Sequence, residues 1–389
     1  MPRSKPRRLS RRHLLTASAL AGAGGLLAAC SRDGGTQALM DEELRLPALQ
    51  RPPVALTNLV TPGSGQPLTL TLRGRRIDSV GPDLPDGVQA VDLDGGFLIP
   101  GFTDMHVHMQ FADPAAILAG GVTTVRDLGG PDNAAQAIRG GPSGLRVLIA
   151  GRILTAVNGY PTQSWGADGT GRQITDPGDA VAAVEEQRAA GAVVLKVALE
   201  DSGGRPVLDA ETLQVIVQQG QRFGLGTTAH VGSPAMLELA LQAGVSELAH
   251  LPLFDVSAAD MVAVAQAGIV VVPTLEIRGR DPGAAMALAA FRQAGGRVLY
   301  GTDLGNGGTN PGIESGEVRL LLEAGMTPQE ILDSATSAPA DYLQLDTGRL
   351  EPGRAADLVV LGSDPFADPA AYDDVRMVLA NGELVGGDS

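Results

Sequence analysis

One unit recurs through the middle of this chain and limits what it can fold into. Apolar runs alternate with Ala-rich helical patterns, and most helical stretches stop at a glycine just before the next apolar run: Gly121-Val122, Gly191-Ala192, Gly224-Leu225, Gly244-Val245 and Gly268-Ile269. A helix that ends on a left-handed glycine and feeds a buried strand is the αβ junction of a parallel sheet. Helix starts carry matching signals. Asp176-Pro177, Ser233-Pro234 and Asp281-Pro282 set a capping side chain before a proline, and Thr327-Pro328-Gln329-Glu330 adds a capping box. Eight strands are expected, over residues 102–109, 121–128, 146–154, 193–199, 225–231, 247–252, 269–276 and 298–304. Eight βα units in about 245 residues match an α/β TIM barrel, (β/α)8, spanning residues 99–346. An open doubly wound sheet is the competing architecture. It would ordinarily carry a Gly-rich phosphate turn after its first strand, where this chain has His106 and His108.

The flanks differ in texture. Residues 52–98 and 347–389 hold short β-rich runs, such as Leu68-Thr69-Leu70-Thr71-Leu72 and Asp357-Leu358-Val359-Val360-Leu361, broken by turn clusters at Pro85-Asp86-Gly87 and Asn381-Gly382. Neither set makes a stable unit alone, so the two ends are expected to join in one small β-sandwich domain beside the barrel. Residues 30–51 lack core periodicity and read as a tether. Residues 1–29 read as a cleaved export signal: twin arginines Arg11-Arg12, a weakly apolar Ala- and Gly-rich run, then Leu27-Ala28-Ala29 ahead of Cys30. The twin arginines resemble the signal for export of folded proteins, and the small-residue approach to Cys30 resembles a lipobox. Cys30 is the only cysteine, so no intramolecular disulfide is possible and lipidation is its expected role. The mature protein is therefore expected on the bacterial cell envelope, in the periplasm or on the outer face, held to the membrane through lipid on Cys30.

Charge narrows the partners. The leader holds six basic residues and no acidic ones, so the remainder carries 23 basic against 44 acidic residues, a balance of −21. Such a surface repels phosphate backbones, which excludes nucleic acid as a partner class. A small molecule is the expected substrate.

Barrel active sites lie at the C-terminal ends of the strands, so the residues standing there are the candidates. Residues two apart on a strand share a face, which brings the imidazoles of His106 and His108 together at metal-ligand spacing. Strand 5 ends at His230, strand 6 at His250 and strand 8 at Asp303; every histidine outside the leader stands at a strand end. Lys196 is sharper still. It is the only lysine beyond the leader, other basic positions there being arginine, and it lies in the apolar run Val193-Val194-Leu195-Lys196-Val197 where an ammonium is costly. Desolvation favours a neutral amine, which can add carbon dioxide to become a carbamate; a lysine paired with a carboxylate is the plainer alternative.

Together the stretch Pro100-Gly101-Phe102-Thr103-Asp104-Met105-His106-Val107-His108, the stretch Gly121-Val122-Thr123-Thr124-Val125-Arg126-Asp127, Lys196, His230, His250, Gly301-Thr302-Asp303 and Gly353-Arg354-Ala355-Ala356-Asp357-Leu358 resemble the metal-dependent amidohydrolase superfamily, in its imidazolonepropionase-like and Xaa-Pro dipeptidase-like branch. The resemblance covers nearly all of residues 53–385 and implies a binuclear centre. His106, His108 and Asp303 would hold one divalent metal, His230 and His250 the other, zinc being the first candidate, with carboxylated Lys196 bridging them. A bridging hydroxide would attack an amide carbonyl, and Asp303 would be the catalytic residue that carries the proton to the leaving nitrogen. The implied substrates are a small peptide or N-acyl amino acid, ranked ahead of a cyclic amide because a Gly-lined pocket with few aromatics offers little to large apolar groups. Mononuclear deaminase-type hydrolysis and a lipid-anchored binding protein without turnover are the alternatives. In place of a Gly-Gly-His loop after strand 3 the chain has Thr155-Ala156-Val157-Asn158-Gly159-Tyr160-Pro161. The structureless, Gly-rich loop expected over residues 155–175 supplies Tyr160, Trp165 and Arg172 as substrate contacts, and Arg278 past strand 7 is a candidate partner for a substrate carboxylate.

Overall fold

Runs such as Val54-Ala55-Leu56 and Leu70-Thr71-Leu72 are β-branched or aliphatic and bounded by glycine and proline, so they pair as strands. The computed structural model describes residue 44 and residues 47–131, 144–252, 254–279 and 281–385. Cys30, the leader and most of the tether lie outside the described residues. Strands β1 (Val54–Val60), β2 (Pro67–Arg73), β3 (Arg76–Gly81) and β4 (Gln89–Pro100) come first. A second series follows: β5 (Phe102–Val107), β6 (Val122–Asp127), β7 (Arg146–Ile149), β8 (Ile153–Ala156), β9 (Gly171–Ile174), β10 (Val194–Leu199), β11 (Gly226–Val231), β12 (Glu247–Leu248) and β13 (Val270–Val271). The last strands are β14 (Leu358–Leu361), β15 (Val375–Ala380) and β16 (Glu383–Leu384). Between them run α1 (Pro114–Ala119), α2 (Pro177–Ala190), α3 (Ala210–Arg222), α4 (Pro234–Ala243), α5 (Ala258–Gln266), α6 (Pro282–Gln293), α7 (Ser315–Glu323), α8 (Pro328–Ala335) and α9 (Ser337–Leu343).

The two ends of the chain share one sheet, in the order β16-β15-β14-β4-β1-β2-β3. β14 runs antiparallel to β4, matching Leu358 with Pro100 and Leu361 with Phe97. Its own core gathers Leu56, Leu70, Ile77, Leu98, Leu358 and Leu379. At about 1.5–3 kcal/mol for each fully buried aliphatic side chain, that cluster stabilises a sheet neither end could hold alone. Asp357 fastens it to the rest of the chain, accepting from Thr347 Oγ1 at 2.7 Å and from Arg146 Nη1 at 3.0 Å.

The second series is parallel throughout, in two sheets: β5-β6-β7 and β13-β12-β11-β10-β8-β9. Val193 N donates to Ile149 O at 2.9 Å, linking them on one side. On the other, residues 298–304 lie between β13 and β5: Leu299 N donates to Val271 O at 3.0 Å, and Met105 N to Tyr300 O at 3.0 Å. Strands β5, β6 and β10 are buried along their whole length, which explains their continuous apolar runs. The predicted helix signals act as expected at several ends. Asp176 and Ser233 accept from the backbone as N-caps, Thr327 with Glu330 forms the capping box, and Gly191 and Gly244 close α2 and α4 in the left-handed conformation.

Four expected strands come out differently. Residues 146–154 form two strands, because the chain turns at Gly151 with φ of +76°, where a Cβ would lie 2.0 Å from Gln187 Oε1. The stretches expected at 247–252 and 269–276 shorten to the two-residue β12 and β13, and 298–304 pairs only through isolated bridges such as Val271 with Val298. The loop expected to be structureless contains β9, paired in parallel with β8 from Gly171 to Ile174.

Candidate metal centre

β5 carries His106 next to its C-terminal end and His108 just beyond it. Asp104 holds this stretch in register with residues 298–304: its Oδ1 accepts from His106 N at 2.9 Å and Thr302 N at 3.1 Å, and its Oδ2 accepts from Thr302 Oγ1 at 2.6 Å. Asp303 follows directly. Its φ of +57° is uncommon for a residue with a Cβ, though Asp tolerates it better than most. That turn brings Asp303 Oδ1 to 3.1 Å from His106 Nε2 and 3.2 Å from His108 Nε2, while the two Nε2 atoms stand 3.4 Å apart.

The other ring nitrogens settle the proton positions. His106 Nδ1 lies 2.6 Å from Ala249 O and His108 Nδ1 lies 3.1 Å from Gly129 O; a carbonyl oxygen only accepts, so each Nδ1 carries the hydrogen. In the neutral ring each Nε2 is then a lone pair. Burial pushes His106 well below the usual histidine range and keeps it neutral. With both rings neutral, three electron-rich atoms meet at one point, and Asp303 Oδ1 has no hydrogen-bond donor among the described residues. A cation satisfies all three at once. Two imidazoles and a carboxylate suit zinc and its neighbours, so the residues fit a divalent metal.

The same logic extends to strands β11 and β12. His250 Nδ1 donates to Leu251 O at 3.1 Å and His230 Nε2 to Glu200 Oε2 at 3.1 Å, which leaves His250 Nε2 facing His230 Nδ1 at 2.7 Å. Burial lowers both histidines, so these are again two lone pairs. Lys196, 3 % exposed on β10, acts electrostatically on His106, His230, His250 and Asp303. Burial lowers its ammonium to about 8, and among the described residues it makes no ion pair or hydrogen bond. The sequence-selected group of His106, His108, Lys196, His230, His250 and Asp303 is thus assembled at one place.

Over this floor opens a cavity of about 330 Å³. Its walls include Phe111, Ile153, Tyr160, Trp165, Ile277 and Asn306. Tyr160 stacks on His230 with ring centroids 4.8 Å apart; Trp165 meets His108 edge-on at 5.0 Å and donates from Nε1 to the Tyr160 hydroxyl at 2.8 Å. Tyr160 and Trp165 therefore stand where the sequence reading put them. The two arginines do not. Arg172 points away from the cavity, forking onto Asp179 at 2.7 Å and Glu186 at 2.8 Å. Arg278 turns to the carbonyls of Leu251 and Pro252 and pairs with Asp281 at 3.0 Å, on the rim of a different hollow. A carboxylate close in sequence captured each one.

Sequence reasoning passed over three groups. Glu200 sets the tautomer of His230, and hydrogen bonding to that ring pulls its carboxyl down to about 2. Its position four residues after Lys196, at the end of β10, was the available signal. Asp104 was read only as part of a motif. Arg126 is fully buried and forks onto Glu247, likewise fully buried, tying β6 to β12.

Nitrogen and carboxylate donors gathered at the ends of parallel strands, with an open cavity above them, define an α/β protein with a candidate site for a cation beside a small molecule. Residues 97–385 match the model of the Amidohydrolase family. The chain belongs to that family and is a hydrolase acting on carbon–nitrogen bonds. It is 29% identical to an imidazolonepropionase of Salinispora tropica over 78% of this chain and 88% of the relative. An adenine deaminase 2 of Rhizobium etli is also 29% identical, over 77% of this chain and 50% of that protein. Among solved structures, a Xaa-Pro dipeptidase with methionine in its active site superposes with a TM-score of 0.71 at 21% identity, over 86% of this chain and 99% of that one.

Proposed function

We propose that the protein is an exported hydrolase of the amide C–N bond in a small substrate, working with two divalent metals that His106, His108 and Asp303 on the one hand and His230 and His250 on the other would hold, with Lys196 as a shared ligand. The carrying observation is the double convergence of lone pairs, His106 with His108 and Asp303, and His230 with His250, which calls for positive charge at two adjacent points. Zinc is the first candidate. Bound there, the metals would supply Lewis acidity toward a carbonyl and lower the pKa of water. The chain's residues do the rest. The hydroxyl of water adds to the carbonyl carbon, its hydrogen ends on the leaving nitrogen, and Asp303, through Oδ2, takes that proton up and passes it on. Glu200 holds His230 in the tautomer that presents Nδ1. The aromatic wall of Tyr160 and Trp165 excludes water from one side.

Lys196 is read as a carbamate: its ammonium gives up one proton to become the amine, which adds carbon dioxide and releases a second proton, so that a buried cation becomes an anionic group able to serve as a metal ligand. Its burial, its lack of a partner among the described residues and its lowered pKa support this. A bridging lysine also disfavours the mononuclear deaminase reading, which has no use for one. Residues 298–304 are read as the eighth strand, closing the two parallel sheets into a (β/α)8 barrel. Residues 1–29 are read as a cleaved twin-arginine signal and Cys30 as the lipidated residue that holds the protein to the cell envelope. The test is metal content per chain, with turnover of dipeptides, N-acyl amino acids, lactams and cyclic ureas before and after chelation, on protein lacking residues 1–30. Amide hydrolysis that disappears with the metal and returns with zinc is expected. Ester or phosphotriester turnover without any amide turnover would overturn it.

A further inference from the structure

The cavity also says which amides it admits. Among the described residues lining it, Lys196 is the one cationic side chain, and it stands in the floor with the metal-ligand group. The two arginines expected to meet substrate are committed elsewhere, Arg172 to Asp179 and Glu186, and Arg278 to Asp281 and two backbone carbonyls. The chain's net charge of −15 adds a field that repels anions. An anionic group in this cavity would lose water and, among the described residues, meet no arginine or lysine on the walls to replace it.

What the wall does offer is rings. The chain has only twelve aromatic residues, and Phe111, Tyr160 and Trp165 meet at this one cavity. Trp165 lies edge-on to Phe111 at 6.0 Å and to Tyr160 at 6.1 Å, and all three rings line the cavity, where a flat group can pack against them. Ile153 and Ile277 extend the apolar lining. The lining thus sets three aromatic rings beside Gly305 and Gly307, more rings than the sequence reading expected.

We infer that the site selects an uncharged amide with an aryl or similar flat ring next to the scissile bond, over free dipeptides and N-acyl amino acids. This rests on the amide-hydrolase reading, and binding separates the two. Trp165 is the only tryptophan, so its emission reports occupancy of this wall without turnover. Three probes differ by one group each: N-ethylbenzamide, hippurate, in which the terminal methyl becomes a carboxylate, and N-ethylacetamide, in which the aryl group becomes methyl. Titrated into the metal-loaded protein, N-ethylbenzamide should bind at least about tenfold more tightly than either of the others. Phe111→Ala should shrink its advantage over N-ethylacetamide, and Ile277→Arg, which puts a cation on the wall, should raise hippurate affinity. Equal or tighter binding of hippurate, equal binding of the aryl and methyl amides, or no response to any probe would each overturn the inference. Neutral aryl binding without hydrolysis would leave it standing and remove the hydrolase reading. Hydrolysis that favours hippurate would do the reverse.

Discussion

Lys196 is the residue whose chemistry is hardest to replace, and it was legible because arginine does every other basic task beyond the leader. Lys196→Arg keeps the charge but forms no carbamate, so at least one metal and nearly all turnover should be lost. Lys196→Ala leaves room for a short carboxylate, and added acetate or propionate should restore part of both. A merely structural lysine would give the opposite pattern, arginine tolerated and no response to acid, in metal analysis and rate measurements on the two variants. Glu200 yields a second expectation. In Glu200→Gln the amide can donate to His230 Nε2, shifting the ring proton to Nδ1 and covering the lone pair that faces His250. Affinity for one metal should fall about 10–100-fold while the fold persists. Competition with a chelator measures it, and nitrogen chemical shifts of labelled histidine report the tautomer; unchanged affinity would show that Glu200 has no positioning role. Arg172 and Arg278 were misread because a sequence shows a cation but not the carboxylate that captures it.

Elements were legible in proportion to how regular they are. Strands β5, β6, β10 and β11 are buried continuous runs and lie close to their expected limits. Where strands end at the site, regularity stops: Thr274 at φ +44° and Asp303 at φ +57° leave the extended region. Apolar composition continues there, so the reading ran past the true ends. Helix α7 carries a prediction of its own. Glu317 is fully buried, accepting from Glu276 N at 2.8 Å, and burial raises its carboxyl to about 8. The folded state thus holds this proton more tightly than the unfolded chain, whose glutamate titrates near 4.5. Its contribution to stability is full below that value and is lost as pH rises toward 8, at up to about 1.4 kcal/mol per pH unit. Glu317→Gln should flatten this decline. Melting curves of both proteins between pH 5 and 8 decide it, and parallel slopes would count against the assignment.

At the scale of the whole molecule, the charge balance and the leader make the remaining expectation. Cys30→Ala should move the protein from the membrane fraction to the soluble envelope fraction, as tracked by fractionation and immunoblotting. Unchanged fractionation would remove lipid anchoring. The joining of the chain's two ends was legible from their shared β-rich texture, whereas the strand order, with β14 set against β4, was not, because nothing local specifies a partner about 260 residues away. That pairing also sets an order of events during synthesis. β4 leads within two residues into β5 and so into His106 and His108, yet one edge of β4 has no partner until residues 358–361 have left the ribosome. The first strand of the proposed centre is among the earliest parts made, while the sheet that leads into it is closed only after residues 358–361 emerge, so a metal centre there would be completed late in synthesis.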